Sequence, residues 1–341
     1  MIQLPKTMLA FRVHNGTLKR ITSPIPKLRT GWALVRVRLA GICNTDVEIL
    51  RGYHGFKGIP GHEFVGKVVE AADVSSSAKH DWINKRVVGE INISCASLGF
   101  RSVCGFCKRG LRTHCARRAV LGILDHNGAF AEYLSLPLAN LHRLPDNISD
   151  EQAVFVEPLA AACEILKQID VRHFRSAAIL GDGKLAQLIA RVLRTKLPRV
   201  VMYGKHKEKL KLARQAKIET QMVAGDECDR EKLRDTFALV VEATGSPTGL
   251  RLALQMTEPH GTLVLKSTFH GAAPVETWPI VVKELSIIGS RCGPFGEAIG
   301  LLKSVRVDPA PLITKTFSLG EAPQAIQFAR TRGVMKVLLK P

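Results

Sequence analysis

The run Ile179-Leu180-Gly181-Asp182-Gly183-Lys184-Leu185-Ala186 constrains this chain more than any other stretch. It is a G-x-G-x-x-A pattern. It follows a short apolar segment, Ala177–Leu180, and opens a segment with helical spacing, Leu185–Leu193. In a strand-turn-helix unit the first glycine makes the tight turn and the second lets the main chain approach a pyrophosphate. The small third residue permits close helix–strand packing, and the helix N-terminus attracts phosphate charge. An ordinary strand-turn-helix junction can carry the same glycines, but the surroundings favour a dinucleotide. Val200–Tyr203, Ala238–Val241 and Thr262–Leu265 read as further strands, with a helix at Glu208–Ala216. This alternation, beginning near Glu151, predicts an α/β fold with a doubly wound parallel sheet. Gly181, Asp182, Gly183, Lys184, Leu185 and Ala186 are therefore candidate cofactor-binding residues.

The second strand ends in Val201-Met202-Tyr203-Gly204-Lys205-His206-Lys207. A site that prefers NAD usually carries a carboxylate about 20 residues past the glycines, on the ribose 2′-hydroxyl. Gly204 stands 18 residues past Ala186, and no acid is there. A glycine followed by Lys205, His206 and Lys207 would admit and neutralise a 2′-phosphate, so NADP is favoured over NAD. The alternative, that these cations are the exposed first turn of a helix, places them where the helix dipole disfavours positive charge.

The first 150 residues have a different texture. Trp32–Leu39, Phe64–Val69 and Arg86–Gly89 read as strands punctuated by Gly and Pro, and the chain closes on another, Val334–Leu339. A chain of 341 residues suits two domains, and 46% hydrophobic residues suffice for a sizeable core. No apolar run approaches the roughly 20 residues of a membrane span, and Met1–Ala10 lacks the pattern of a signal peptide. A cytoplasmic protein is expected. The formal charge of +19 suits a phosphate-bearing ligand or nucleic acid, but Lys and Arg are spread along the chain, as on a generally solvated basic surface.

Of eight cysteines, four stand as Cys95-x8-Cys104-x2-Cys107-x7-Cys115. Thiolates in this number suit a structural zinc; the alternative is one redox dithiol with two incidental cysteines. Cys163, Cys228 and Cys292 are isolated. A second group, Cys43-Asn44-Thr45-Asp46 followed by Gly61-His62-Glu63, offers a soft and a borderline zinc ligand, with Glu63 and the later Glu157 as carboxylate candidates.

Taken in order, Cys43-x-Thr45-Asp46, Gly61-His62-Glu63, the four-cysteine lobe, the Gly181 fingerprint, Val241-Glu242-Ala243-Thr244-Gly245 and the terminal Lys336-Val337-Leu338 resemble the zinc alcohol dehydrogenases of the medium-chain dehydrogenase/reductase superfamily. The resemblance spans nearly the full length. It implies a GroES-like β-rich catalytic domain over 1–152 and 293–341, with a structural-zinc lobe at about 92–118. It also implies a Rossmann domain over 153–292 and an active site between the two. Cys43 and His62 are then ligands of a catalytic zinc, with Asp46 orienting His62. Phe155-Val156-Glu157-Pro158-Leu159 is similar to the polyol, threonine and glucose dehydrogenase branches, in which Glu157 is a ligand directly or through water and Glu63 is the alternative. Cys163, six residues later, is expected in the core. Thr45 is expected to pass a proton outward, Thr244 to line the cofactor site, and Lys336 to approach the cofactor pyrophosphate. The implied activity is hydride transfer between an alcohol, polyol or sugar and NAD(P), in a homodimer or homotetramer.

Two features depart from the family pattern. Eight residues rather than two separate Cys95 from Cys104, so Ser97–Val103 must loop out. The place of an outer relay histidine holds Glu48, which leaves Glu48 or His54 to end the relay. Two other readings compete. One is a zinc-free quinone reductase on the same fold, whose members generally lack these ligands. The other is a nucleic-acid-binding zinc ribbon that would use Arg101, Phe106, Lys108, Arg109, Arg112, Arg117 and Arg118.

Overall fold

The computed structural model describes residues 4–72, 81–223, 231–268 and 274–341; Cys228 lies outside them. The chain divides into two compact units, Met1–Glu157 with Asp308–Pro341, and Pro158–Val307.

In the first unit the long strand Trp32–Ile42 organises a seven-stranded sheet. Its middle alternates as the sequence predicts, with Arg36 and Arg38 exposed between buried Val35, Val37 and Leu39. Both ends are buried, because Glu63–Ala71, Tyr133–Pro137 and Lys336–Lys340 all pair antiparallel with it. The chain's last strand is thereby built into its first unit. The register decides what meets there. Glu63 lies opposite Gly41, and Val337 lies opposite Ile42. Glu63, the Cys43 that follows Ile42 and Lys336 thus reach one end of three neighbouring strands. A separate lobe carries a small sheet, Asn92–Ile93, Ala119–Leu121 and Asp125–His126.

The second unit holds six parallel strands in the spatial order Glu219–Met222, Arg199–Gly204, Ser176–Leu180, Phe237–Glu242, Thr257–Leu265, Ser286–Gly289. This is the doubly wound order, with the first strand in the middle and the reversal between Ser176–Leu180 and Phe237–Glu242. The fingerprint loop leaves the first strand at that switch point. Gly181 has φ 115°, and a Cβ there would lie 2.5 Å from the Ala243 carbonyl oxygen, so only glycine makes the turn. The helix Lys184–Arg194 follows, with Ala186 fully buried as the small third position requires.

The resemblance places the end of the Rossmann domain at 292. The structure instead keeps 293–307 in the second unit. The helix Phe295–Lys303 buries Phe295, Ala298 and Leu302. A Cβ on Gly293 would lie 1.9 Å from the Ala160 carbonyl oxygen, and Arg306 donates to the Thr195 carbonyl at 2.8 Å. These contacts are tertiary and leave no periodic mark in the sequence. At the other boundary the first unit runs five residues further than 152, to Glu157.

Candidate active site

Among the described residues, two groups of side chains are spaced to hold a metal ion. Cys43, His62 and Glu63 form the first, their ligand atoms all within 4.8 Å of one another. Cys43 caps the helix Asn44–Leu50 at the end of the long strand, and His62 and Glu63 enter the neighbouring strand. Asp46 ties the two segments together. It is 1% exposed; its Oδ2 accepts from the Cys43 N–H at 2.8 Å and its Oδ1 from the Gly61 N–H at 3.2 Å. Gly61 sits at φ 97°, and a Cβ there would meet the Phe130 ring at 2.5 Å.

His62 Nδ1 faces Asp46 Oδ1 at 3.3 Å but has no hydrogen bond of good geometry. Burial pulls the imidazole down, but Asp46 and then Cys43 outweigh it, and His62 ends well above its ordinary value. A buried imidazole held beside a thiol and two carboxylates matches the donors that bind zinc. The fit to zinc is therefore chemical as well as spatial.

Lys336 completes the cluster. Its ammonium is 1% exposed and bonds to Glu63 Oε2. Burial alone would strip its charge; Glu63 first, with Cys43 and Glu157 behind it, reverses this and raises the lysine above its usual value. Lys336, expected near a cofactor pyrophosphate, is paired in this structure with Glu63. Glu157 opens the helix Val156–Gln168 and bears on Lys336 electrostatically, but it is not a member of the three-residue group. Of the two candidate carboxylates, the structure thus brings Glu63 to Cys43 and His62. The Thr45 hydroxyl lies 3.8 Å from the Cys43 sulfur. Glu48 and His54 belong to neither metal-capable group. Glu48 accepts from Arg51 at 2.8 Å. His54 lies against Tyr53, ring centroids 4.1 Å apart and tilted by 59°, and lines a separate cavity of about 740 Å³ with Arg12, Lys27 and Asn127.

The second group is Cys95, Cys104, Cys107 and Cys115. The sulfurs of Cys95 and Cys107 are 3.7 Å apart, as are those of Cys104 and Cys115. A zinc–sulfur bond of about 2.3 Å gives a tetrahedral edge of roughly 3.8 Å, so the spacing suits zinc. Main-chain N–H groups of Cys107 and Ala116 hold the Cys104 thiol at about 6, while burial and the adjoining thiols push Cys107 up to about 12. Four thiolates this close need a cation. The long Cys95–Cys104 interval does not break the group. It folds as a loop closed by Leu98 N–H to Ser94 and Phe100 N–H to Cys95 carbonyls. Several lobe cations considered for nucleic acid are engaged within the lobe, and Arg117 braces this loop. Arg117 lies 4.7 Å over the Phe100 ring and donates to the Ser102 carbonyl, Arg109 lies 5.2 Å over Phe106, and Arg118 donates to the Cys115 carbonyl. Cys163 is fully buried, which pushes its thiol up to about 12.

In the second unit a pocket of about 500 Å³ opens at the switch point. Gly181, Asp182, Gly183, Gly204, Lys205, His206 and Thr244 all line it, while Lys184, Leu185 and Ala186 start the helix behind. Thr244 is fixed by Glu242, which accepts from its N–H at 2.7 Å and its hydroxyl at 2.5 Å. No acid stands beside Gly204 in the sequence. The fold delivers one from the other side: the carboxylate of Asp182 accepts from the N–H groups of Lys205 and His206 at 2.7 and 2.9 Å. Lys209 and Arg251 also line the pocket. Neither stands at a fingerprint position, so only helix phase in the folded unit reveals them.

Residues 29–146 match the alcohol dehydrogenase GroES-like domain family, and residues 183–305 match the zinc-binding dehydrogenase family. The chain belongs to the zinc-dependent medium-chain dehydrogenases. It is 28% identical to D-arabinitol dehydrogenase 1 of Uromyces fabae, over 94% of this chain and 93% of that protein. It superposes with a TM-score of 0.88 on a zinc-binding dehydrogenase of Sinorhizobium meliloti 1021 bound to NADP, at 26% identity, covering 99% and 100% of the two chains. A short chain alcohol dehydrogenase from Escherichia coli CFT073, complexed with NADH, gives 0.89 at 27% identity, with the same coverage. As a zinc-dependent medium-chain dehydrogenase, the protein is an oxidoreductase acting on CH–OH donors with zinc and a nicotinamide cofactor. No helix among its described residues is long and apolar enough to cross a membrane.

Proposed function

We propose that the protein oxidises a polyol, sugar or related secondary alcohol, or reduces the matching carbonyl, with NADP preferred over NAD. The observation that carries the reading is the Cys43–His62–Glu63 group, joined through Asp46 and backed by Lys336. Cys43, His62 and Glu63 would hold zinc, with Glu157 as the outer carboxylate. When bound, zinc supplies a Lewis acid toward the substrate oxygen. Asp46 fixes the Cys43 and Gly61–His62 segments, so the donors need no rearrangement. Thr45, beside Cys43, holds the hydroxyl that takes the alcohol proton and passes it outward. The phosphate loop and the helix behind it bind the dinucleotide.

The NADP preference is supported by three cations, Lys205, Lys209 and Arg251, together with the His206 imidazole, around the pocket end where a 2′-phosphate would sit. The relative named for D-arabinitol supports a polyhydroxylated substrate. Free thiols at the seven described cysteines suit a reducing cytoplasm. A homodimer or homotetramer is supported by the edge strand Ser286–Gly289, where Ile287 is exposed with nearby Trp278, Val281 and Val282.

The test is nicotinamide reduction across alcohols, polyols, sugars and threonine, with both cofactors and with and without a zinc chelator. Chelator-sensitive turnover with NADP and one polyhydroxylated substrate is expected. Cys43→Ser should abolish turnover while dinucleotide binding stays near wild type. Full activity in that variant would refute the assignment.

A further inference from the structure

The dinucleotide pocket contains an acid that the cofactor reading leaves without a task. Asp182 is 8% exposed, and its Oδ2 accepts from the Lys205 N–H at 2.7 Å, the His206 N–H at 2.9 Å and the His206 ring at Nδ1, 2.9 Å away. Gly204 makes this possible, since a Cβ there would lie 2.7 Å from both Asp182 Cβ and Oδ2. Oδ2 thus faces three donors, and Oδ1 also faces the His206 ring at Nδ1, 3.1 Å away, so both carboxylate oxygens are turned to the Lys205–His206 segment. The effect of the carboxylate falls on His206. With Nδ1 on the carboxylate, Nε2 is the remaining polar atom of a ring that lines the pocket beside Lys205, Lys209 and Arg251. A phosphate oxygen would be met at Nε2, with the carboxylate on Nδ1 fixing the orientation of the ring. Glu231, the other acid lining the pocket among the described residues, is engaged by Arg234 at 3.1 Å.

We infer that Asp182 is a positioning residue for recognition of the cofactor 2′-phosphate and that it acts through His206; this rests on the NADP reading above. Asp182 locks the Lys205–His206 main chain and the imidazole together, so the pocket meets the phosphate with a preset donor. The opposite role for an acid at this place is repulsion of the 2′-phosphate, and the two roles differ in sign.

The experiment measures calorimetric binding of 5′-AMP and of adenosine 2′,5′-bisphosphate to the full chain, which needs neither zinc nor turnover. The readout is the ratio of their affinities. The wild type should favour the bisphosphate by about ten-fold or more, and His206→Gln should lose about ten-fold of that ratio. Asp182→Asn should lose a similar factor, and the double variant should lose no more than His206→Gln alone, because both changes remove one interaction. Retained 5′-AMP binding reports an intact pocket. Asp182→Ser, which keeps a hydroxyl acceptor for the Lys205 N–H, is read the same way if Asp182→Asn fails to fold. A ratio that rises on removing the carboxylate, or independent losses that multiply in the double variant, would overturn the inference. A wild type indifferent to the 2′-phosphate would overturn the NADP reading itself.

Discussion

Replacing Lys336 with Met removes the cation that bonds to the Glu63 carboxylate. Both side chains are 1% exposed, so water cannot take over. Breaking a buried pair by deleting one partner costs about 3–5 kcal/mol, because the other charge stays buried and uncompensated. In a unit of about 190 residues each kcal/mol shifts the melting temperature by roughly 2–4 °C. Chelator-treated Lys336→Met should therefore melt roughly 6–20 °C below chelator-treated wild type. Zinc at Cys43, His62 and Glu63 would restore a positive charge beside the orphaned carboxylate, so the gap should shrink to a small fraction of that in zinc-replete protein. Lys336→Arg, which keeps the charge, should lose far less. In the wild type the lysine is raised by folding, so its contribution is fully present below the unfolded value of about 10.4 and is lost as pH rises through the folded value. The assay is thermal unfolding followed by circular dichroism, read as the transition of the first unit. Equal melting of variant and wild type without metal, or a gap that zinc leaves untouched, would refute the picture of Lys336 as the counter-charge of Glu63.

Three other outcomes follow from the same geometry. His62 is raised by folding, so in metal-free protein its contribution to stability is complete below about pH 6.5 and is lost as pH rises through its folded value. Zinc requires the neutral ring, so affinity at this site should fall by about ten-fold or more per pH unit on acidification below that value, seen by chelator competition. Cys104→Ser should release one zinc equivalent and expose the lobe to proteolysis while 5′-AMP binding is unchanged; undiminished zinc content by atomic absorption would count against the lobe as a metal site. Gly204→Asp would suggest itself from sequence as a switch toward NAD. The structure predicts otherwise, because any Cβ there strikes Asp182. Even Gly204→Ala should cost about 1–3 kcal/mol and weaken binding of both dinucleotides, measured by denaturation and calorimetry.

The sequence by itself determined the elements whose information is local. The strand-turn-helix at Gly181, the alternation of the second unit and the alternating strand Trp32–Leu39 are written in spacing that adjacent residues enforce. The metal-ligand types were also legible, since Cys, His and Glu declare their chemistry wherever they lie. What the tertiary structure decided is which of them meet. Glu63 and Lys336 are 273 residues apart and touch because the last strand joins the sheet beside Ile42. Glu63 rather than Glu157 joins Cys43 and His62, as strand register dictates. Asp182 supplies, from across the loop, the acid that the segment after Gly204 lacks. Pairing across a sheet depends on register between distant segments, and close approach depends on the absence of a Cβ. Neither leaves a periodic trace along the chain, so the sequence names the donors and the folded chain assembles them.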